Sequence, residues 1–319
     1  MDFNSLQKNI IATVSYFDAF DYPLTNVEVW KWLIDLGQQG QIFSLQQIAE
    51  ELGSPTLAKI IGNENGFYFL IGRQIIINTR LQRYYLAKKK FNVALRATRI
   101  LRYSPFIKAV FICNNAGYYN SPDSSDIDFF IITTSKRLWL ARLITVLVVN
   151  SLKLRRHGQK IANRLCLSFF TSEAKLNFDD LKIKPKDIYL TYWLATLAPI
   201  YNQLPDDILE RNNPWFKKDL PNFYPALLSE PHLIADGYSG QKVKKFIELL
   251  TNNYFGNLLE SLAKRFQIRR IKRFIGSFQD SENCVVITDD ILKLHTTDRR
   301  RHYWQLWANE VNSFFNFAP

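Results

Sequence analysis

The amino-acid sequence predicts a mixed α+β protein in three parts, and three observations carry that reading. Residues 1–104 show helical stripes followed by a short pair of β-like runs. Residues 105–184 hold three apolar strand-like runs separated by a polar loop and a helix, the order of a small α/β unit. Residues 185–319 return to mainly helical periodicity. A chain of 319 residues, 47% hydrophobic and 22% charged, has enough apolar material for a packed core and more than one domain.

Forty-one Lys and Arg against 29 Asp and Glu leave a formal charge of +12. A surface this basic suits polyanions: nucleotides, nucleic acid or acidic lipid. Cys113, Cys166 and Cys284 each lie inside an apolar run, with no Cys-x-x-Cys spacing. That pattern argues against a disulfide framework or a zinc site and for buried thiols in a reducing, cytoplasmic setting. The four histidines show no metal-ligand spacing either. The opening residues lack a signal-peptide pattern. The most apolar stretch, 138–154, is broken by Arg142, Asn150 and Lys153. It falls short of the ~20 apolar residues that span a bilayer, so a buried helix, or one touching a membrane surface, is expected.

In the first part, residues 26–36 place Val27, Trp30, Leu33 and Ile34 on one helical face, and Gly37 ends it. Ser44 and Gln47 are spaced as a capping box, heading a helix that turns Leu45, Ile48 and Leu52 inward. A third short helix is expected over 55–61. Residues 66–70 and 74–78 then flank Ile71-Gly72-Arg73 as a hairpin. Three helices and a two-stranded wing resemble a winged helix-turn-helix module. Its DNA reading is disfavoured because residues 55–61 offer only Lys59 as a cation, and a packing or partner-contact role fits better. Residues 79–104 form a basic helical stretch whose charges are either solvated or close enough to help hold a polyphosphate.

In the second part, strands are expected over 107–113, 126–133 and 164–171, with a loop over 114–125 and a helix over 137–154. Asp126 and Asp128 are two apart, so a strand projects both to one face. Two carboxylates that close repel unless a cation sits between them, and Mg²⁺ accepts carboxylates together with water and phosphate oxygens.

Ser125-Asp126-Ile127-Asp128 followed by an apolar strand resembles the core of the DNA polymerase β-like nucleotidyltransferase superfamily, over about 105–173. The resemblance implies a two-ion Mg²⁺ site on Asp126 and Asp128, an NTP substrate and transfer to a hydroxyl acceptor. Asn114 and Asn115 stand where that family has Gly-Ser; with Gly117 and Ser125 they are the implied nucleotide-binding positions. Asn tolerates left-handed backbone and hydrogen-bonds, and Gly117 is a second source of flexibility. The family's third carboxylate is missing from the strand over 164–171. Glu173, just beyond it, is the implied substitute, with Asp179 and Asp180 as further choices.

In the third part, Leu190, Trp193, Leu194 and Leu197 form one stripe, and Val243, Phe246, Ile247 and Leu250 another. Residues 264–273 are a compact basic run with Phe266, Ile268 and Ile271 interleaved, suited either to RNA or acidic lipid or to a solvated face over a buried stripe. A strand over 284–288 precedes Asp289-Asp290, which are expected to cap a last helix; beyond them His295 and Asp298 fit a capped helix end with solvated arginines better than a contact to nucleotide or acceptor. No P-loop or Gly-x-Ser-x-Gly elbow occurs. The sequence thus leaves two function classes, beside a third possibility that the basic surface and the helix over 138–154 dock on a membrane. One is a Mg²⁺-dependent nucleotidyltransferase acting on a protein, an RNA end or a small molecule. The other is a degenerate nucleotide- or nucleic-acid-binding scaffold.

Overall fold

Side-chain caps begin the N-terminal helices. Asn4 and Gln7 close a capping box at the head of α1 (Ser5–Asp18). After β1 (Leu24–Thr25), Thr25 and Glu28 do the same for α2 (Asn26–Lys31), as do Ser44 and Gln47 for α3 (Leu45–Leu52). α2 stops earlier than its periodicity suggested: Leu33 and Ile34 are buried beyond its end, while Val27 and Leu45, expected inside, are exposed. In the computed structural model residues 2–183, 186–224, 233–275, 285–295 and 298–316 are described.

The hairpin lies one strand earlier than the sequence spacing suggested. β2 (Ile61–Glu64) pairs with β3 (Phe67–Leu70) across Asn65-Gly66, whose φ values of 53° and 78° are those of a type I′ turn. Residues 74–78 instead lead into α4 (Ile76–Leu101). β1 adds to β3, giving the order β1-β3-β2. The succession α1-β1-α2-α3-β2-β3 keeps a winged-helix-like order, but its third helix is α3, not 55–61, which supply only the turn Leu57–Lys59. α3 carries Glu50 and Glu51 and no Lys or Arg, so it repels phosphate.

The central strands appear as expected: β4 (Ile107–Ile112), β5 (Ile127–Thr133) and β6 (Leu165–Ser172), with α5 (Asn114–Gly117) in the loop and α6 (Leu138–Ser151) crossing from β5 to its parallel neighbour β6. Alternate residues feed two cores. Phe111, Phe130 and Phe169 pack on one side with Trp193; Val110, Phe129, Ile131 and Phe170 pack on the other with Leu95 and Trp139. Burial on both faces is why these strands read as unbroken apolar runs.

Residues 185–319 do not form a separate helical region. They supply α7 (Ile188–Ala195), β7 (Ala198–Asn202), α8 (Ile208–Asn212), α9 (Pro214–Asp219), α10 (Tyr238–Thr251), α11 (Tyr254–Ile275), β8 (Val285–Ile287), β9 (Ile291–Leu294) and α12 (Arg300–Phe314). The sheet runs β7-β4-β5-β6-β9-β8, so this region contributes both edges of the fold's main sheet. At five and four residues β7 and β9 are too short to carry much periodic signal, which hid them. Asp289 and Asp290 lie in the β8–β9 turn, not at a helix cap, and Asp290 accepts from the Ser172 hydroxyl. Cys284 and His232 fall outside the described residues. The α7 stripe is buried as expected, but Val243, Phe246 and Leu250 on α10 face solvent. Among the described residues no helix is long and apolar enough to cross a membrane.

The chain ends close over the sheet. Tyr16 stacks on Tyr192 at 4.1 Å, the Tyr192 hydroxyl donates to the Trp32 carbonyl at 3.0 Å, and Trp307 Nε1 donates to the Ala12 carbonyl at 2.8 Å. Arg300, at the head of α12, is buried and pairs with Asp298 and with the fully buried Asp187 at 2.8 Å. Asp187 also caps α7 by accepting from Leu190 N. Replacing Arg300 with Leu leaves Asp187 buried without its cation, so R300L is expected to cost about 3–5 kcal/mol, read as a lowered urea midpoint.

Candidate functional site

β5 places Asp126 and Asp128 side by side at its head. Arg156 Nη1 pairs with Asp126 Oδ2 at 2.6 Å, and Asn114 Nδ2 donates to Asp128 Oδ2 at 2.8 Å. Asn114 adopts φ 57°, the left-handed backbone anticipated for an Asn replacing Gly, and its Oδ1 accepts from the Tyr189 hydroxyl at 3.4 Å. Burial pushes both carboxyls above their usual range. At Asp126 the Asp128 charge adds to this against Arg156; at Asp128 hydrogen bonds from Asn114 and Cys166 oppose it.

The loop before β5 is locked by a residue the sequence did not single out. Lys90 of α4 is fully buried, and its ammonium donates to the Ser125 carbonyl at 2.5 Å, the Ser125 hydroxyl at 2.8 Å and the Asp123 carbonyl at 3.3 Å. Ser125 in turn shares a hydrogen bond with Ser121. Three cations of the basic stretch are used elsewhere: Arg80 pairs with Glu28, Arg83 with Asp21, and Lys90 holds this loop. The periodic pattern of α4 marks Lys90 only as one more polar position, so nothing local distinguishes it from solvated lysines.

Two expected site residues lie elsewhere. Glu173 follows the far end of β6, where its N–H donates to the Thr133 carbonyl and its carboxylate accepts from Ser135 N. Since β5 and β6 are parallel, a strand length separates it from the dyad, on the order of 20 Å at about 3.3 Å per residue, too far for a shared metal ion. Asp179 and Asp180 pair with Lys182 and Lys175 away from the pocket. Gly117 does not have positive φ; a Cβ there would lie 2.3 Å from the Thr196 carbonyl, so glycine is needed for close packing against the end of α7. The residue opposite Asp128 on β6 is Cys166. Its sulfur and the two carboxylates lie within 4.8 Å of one another, and burial with the Asp128 charge pushes the thiol up, leaving it protonated.

Asp126, Asp128, Asn114, Asn115 and Ser125 share a pocket of about 270 Å³. Its other walls come from distant parts of the chain. Phe20 follows α1, Tyr189 and Trp193 are on α7, and Tyr303 on α12 stacks on Tyr189 at 5.7 Å. Lys293, Arg299 and Arg300 supply positive charge, and His295 lines the pocket beside them. Burial and then the Lys293 charge bring His295 down to about 4, so it is neutral at physiological pH. β9 pairs with β6 only over Phe169–Thr171, and where the strands part a second cleft of about 570 Å³ opens beside Asp128. Arg142, Arg155 and Arg156 line it. Comparison with protein-family models, with curated proteins and with solved structures finds no match.

Both dyad carboxyls titrate higher in the folded chain than in the unfolded one, so the fold favours their protonated forms. Stability present below the unfolded pKa is therefore lost as pH rises through the folded pKa. Without metal, a D126N/D128N chain escapes that loss. It is expected to be more stable than wild type at about pH 8, with the gap closing toward about pH 4. Urea midpoints across that range measure it.

Proposed function

We propose that the chain is a Mg²⁺-dependent nucleotidyltransferase that moves a nucleoside monophosphate from an NTP to a hydroxyl acceptor and releases pyrophosphate. The observation that carries this reading is the Asp126–Asp128 pair opening onto a pocket with cations on one wall and aromatic rings on another. The donor set suits Mg²⁺: two hard carboxylate oxygens, both strained by burial without a cation, leaving positions for water and phosphate. Bound there, Mg²⁺ would offset phosphate charge at the reacting phosphorus. Among the described residues no third carboxylate lies within 4.8 Å of the pair, since Asp298 on the same pocket is committed to Arg300, and Arg156 supplies the additional positive charge instead.

In this reading Asp126 and Asp128 are the ion's ligands, and Asn114 keeps the Asp128 carboxylate oriented. Lys90 and Ser125 hold the loop that passes beside the phosphates, with Asn115 and Ala116 on the same wall. Arg299 and Lys293 attract the polyphosphate, while Tyr189, Trp193 and Tyr303 offer ring faces to a base. His295 lines the same pocket as an uncharged imidazole, able to hydrogen-bond the acceptor. A protein, an RNA end and a small molecule are all chemically suitable acceptors, and a reducing, cytoplasmic setting with NTP accords with the free Cys113 and Cys166. Cys166 opposite Asp128 favours one competing reading, a scaffold that binds nucleotide and metal without transfer.

Calorimetry of the four NTPs with and without Mg²⁺, alongside pyrophosphate release, separates these readings. Metal-dependent binding that falls at least about tenfold in D126A/D128A is expected, with turnover marking the enzyme and its absence the scaffold. Failure of wild type to bind any NTP would sink both. A ligand at about 100 times its Kd should also stabilise wild type by about 2.7 kcal/mol and leave the double variant unmoved.

A further inference from the structure

Behind the dyad, α6 and α11 enclose a pocket of about 340 Å³ whose charged side chains, among the described residues, are all arginines: Arg142, Arg155 and Arg270. No acid lines it, and none of the three makes an ion pair among the described residues. Arg142 is 7% exposed; its Nη1 donates to Gln267 Oε1 at 2.6 Å, but its buried Nε has no partner. Burial with the Arg155 charge brings Arg142 down to about 10, and burial with the Arg270 charge lowers Arg155. Three guanidinium groups around one pocket without an acid among the described residues, one of them with an unused buried donor, define a place for an anion.

Apart from Asn150 and Gln267 the remaining wall is apolar: Leu143, Val146, Leu147, Phe266, Ile271 and Leu294. At the mouth Leu147 and Phe266 are 59% and 57% exposed, and Leu258 and Leu262 continue the Phe266 stripe along α11. The two acids of the α10–α11 hairpin face inward. Glu248 accepts from Phe106 N, and Glu260 accepts from Trp139 N and Leu140 N at the head of α6. The outer face is therefore apolar and cationic, with Lys245, Arg265, Arg269 and Lys272 exposed. A free inorganic anion leaves that apolar wall unused, and a neutral amphiphile leaves the arginines unanswered.

We propose that this pocket binds an anionic amphiphile, with its phosphate head on Arg142, Arg155 and Arg270 and its alkyl tail along the Leu147–Phe266 mouth. The assignment does not rest on the nucleotide reading. An alkyl phosphate free in solution and the head group of an anionic membrane lipid share this chemistry.

Calorimetry of the full chain with monomeric dodecyl phosphate tests it, against inorganic phosphate, dodecyl maltoside and a single-stranded oligonucleotide. Dodecyl phosphate is expected to bind at least about tenfold tighter than either partial probe. R155A and R270A should each weaken it about tenfold, and L147D should reduce the advantage over inorganic phosphate. R155A and R270A alter partly or fully exposed side chains, so they remain informative if R142Q fails to fold. D126N/D128N should leave this binding intact even if NTP binding is lost. Equal affinity for dodecyl phosphate and either partial probe overturns the proposal, as does unchanged binding in R155A and R270A. Displacement of dodecyl phosphate by the oligonucleotide overturns it in favour of nucleic acid. Flotation with phosphatidylcholine vesicles containing phosphatidic acid, lost in R155A and R270A, assigns the ligand to a membrane. Dodecyl phosphate binding without flotation assigns it to a soluble amphiphile.

Discussion

Two carboxylates on the same face of one strand, two residues apart and shielded from water, repel each other, and the surrounding chain answers that repulsion. Asn114 comes from the short α5, Arg156 from the segment after α6, and Cys166 from the neighbouring strand. Lys90, four turns into α4, adds a buried positive charge while fixing the loop that leads into β5. Each of these groups belongs to a different element, so the site exists only while sheet, helices and loop keep their relative positions. The remaining imbalance, with both carboxyls raised by burial, is what a bound cation would relieve.

The same dependence explains why the N- and C-terminal parts cannot be treated as attachments. The pocket above the dyad is closed by Phe20 after α1, by Tyr189 and Trp193 on α7, and by Tyr303 on α12. Phe20 packs against Tyr303 at 4.5 Å, and the buried Arg300 joins the heads of α12 and α7 through Asp187. The N-terminal helices therefore supply a wall of the pocket. The cations of this N-terminal part serve packing too, since Arg73, Arg80 and Arg83 are committed to Asp18, Asp21 and Glu28. The chain's excess of positive charge is available instead on α11 and along the arginine-lined clefts.

The α10–α11 hairpin departs from the usual rule that an apolar helical stripe faces the core. Here the polar side of α10 does much of the inward work: Lys244 is buried and donates to the Ile107 carbonyl and the Tyr201 hydroxyl. Gln267 on α11 likewise donates to the Trp139 carbonyl and accepts from Arg142. Buried polar groups that find partners cost little, and they leave the apolar residues free to point outward.

By itself the sequence determined the mixed α+β class, the Ser44–Gln47 cap, the three central strands with their crossover helix, and the same-face placement of Asp126 and Asp128. All of these rest on local rules: cap spacing, the two-residue period of a strand, and long apolar runs buried on both faces. Tertiary structure decided the rest. Glu173 lies close in sequence to the strand that holds Cys166, yet at the wrong end of it, because strand direction converts a few residues into a strand length. The Asn65-Gly66 turn was legible in principle, but the apolar run 74–78 competed with residues 61–64 for β3, and only packing chose between them. β7, β9, Lys90 and Arg142 carry no local signature, since each acquires its place from partners far away along the chain. Local patterns encode which way a side chain points within its own element; which element it meets is set by how all the apolar faces can be buried at once.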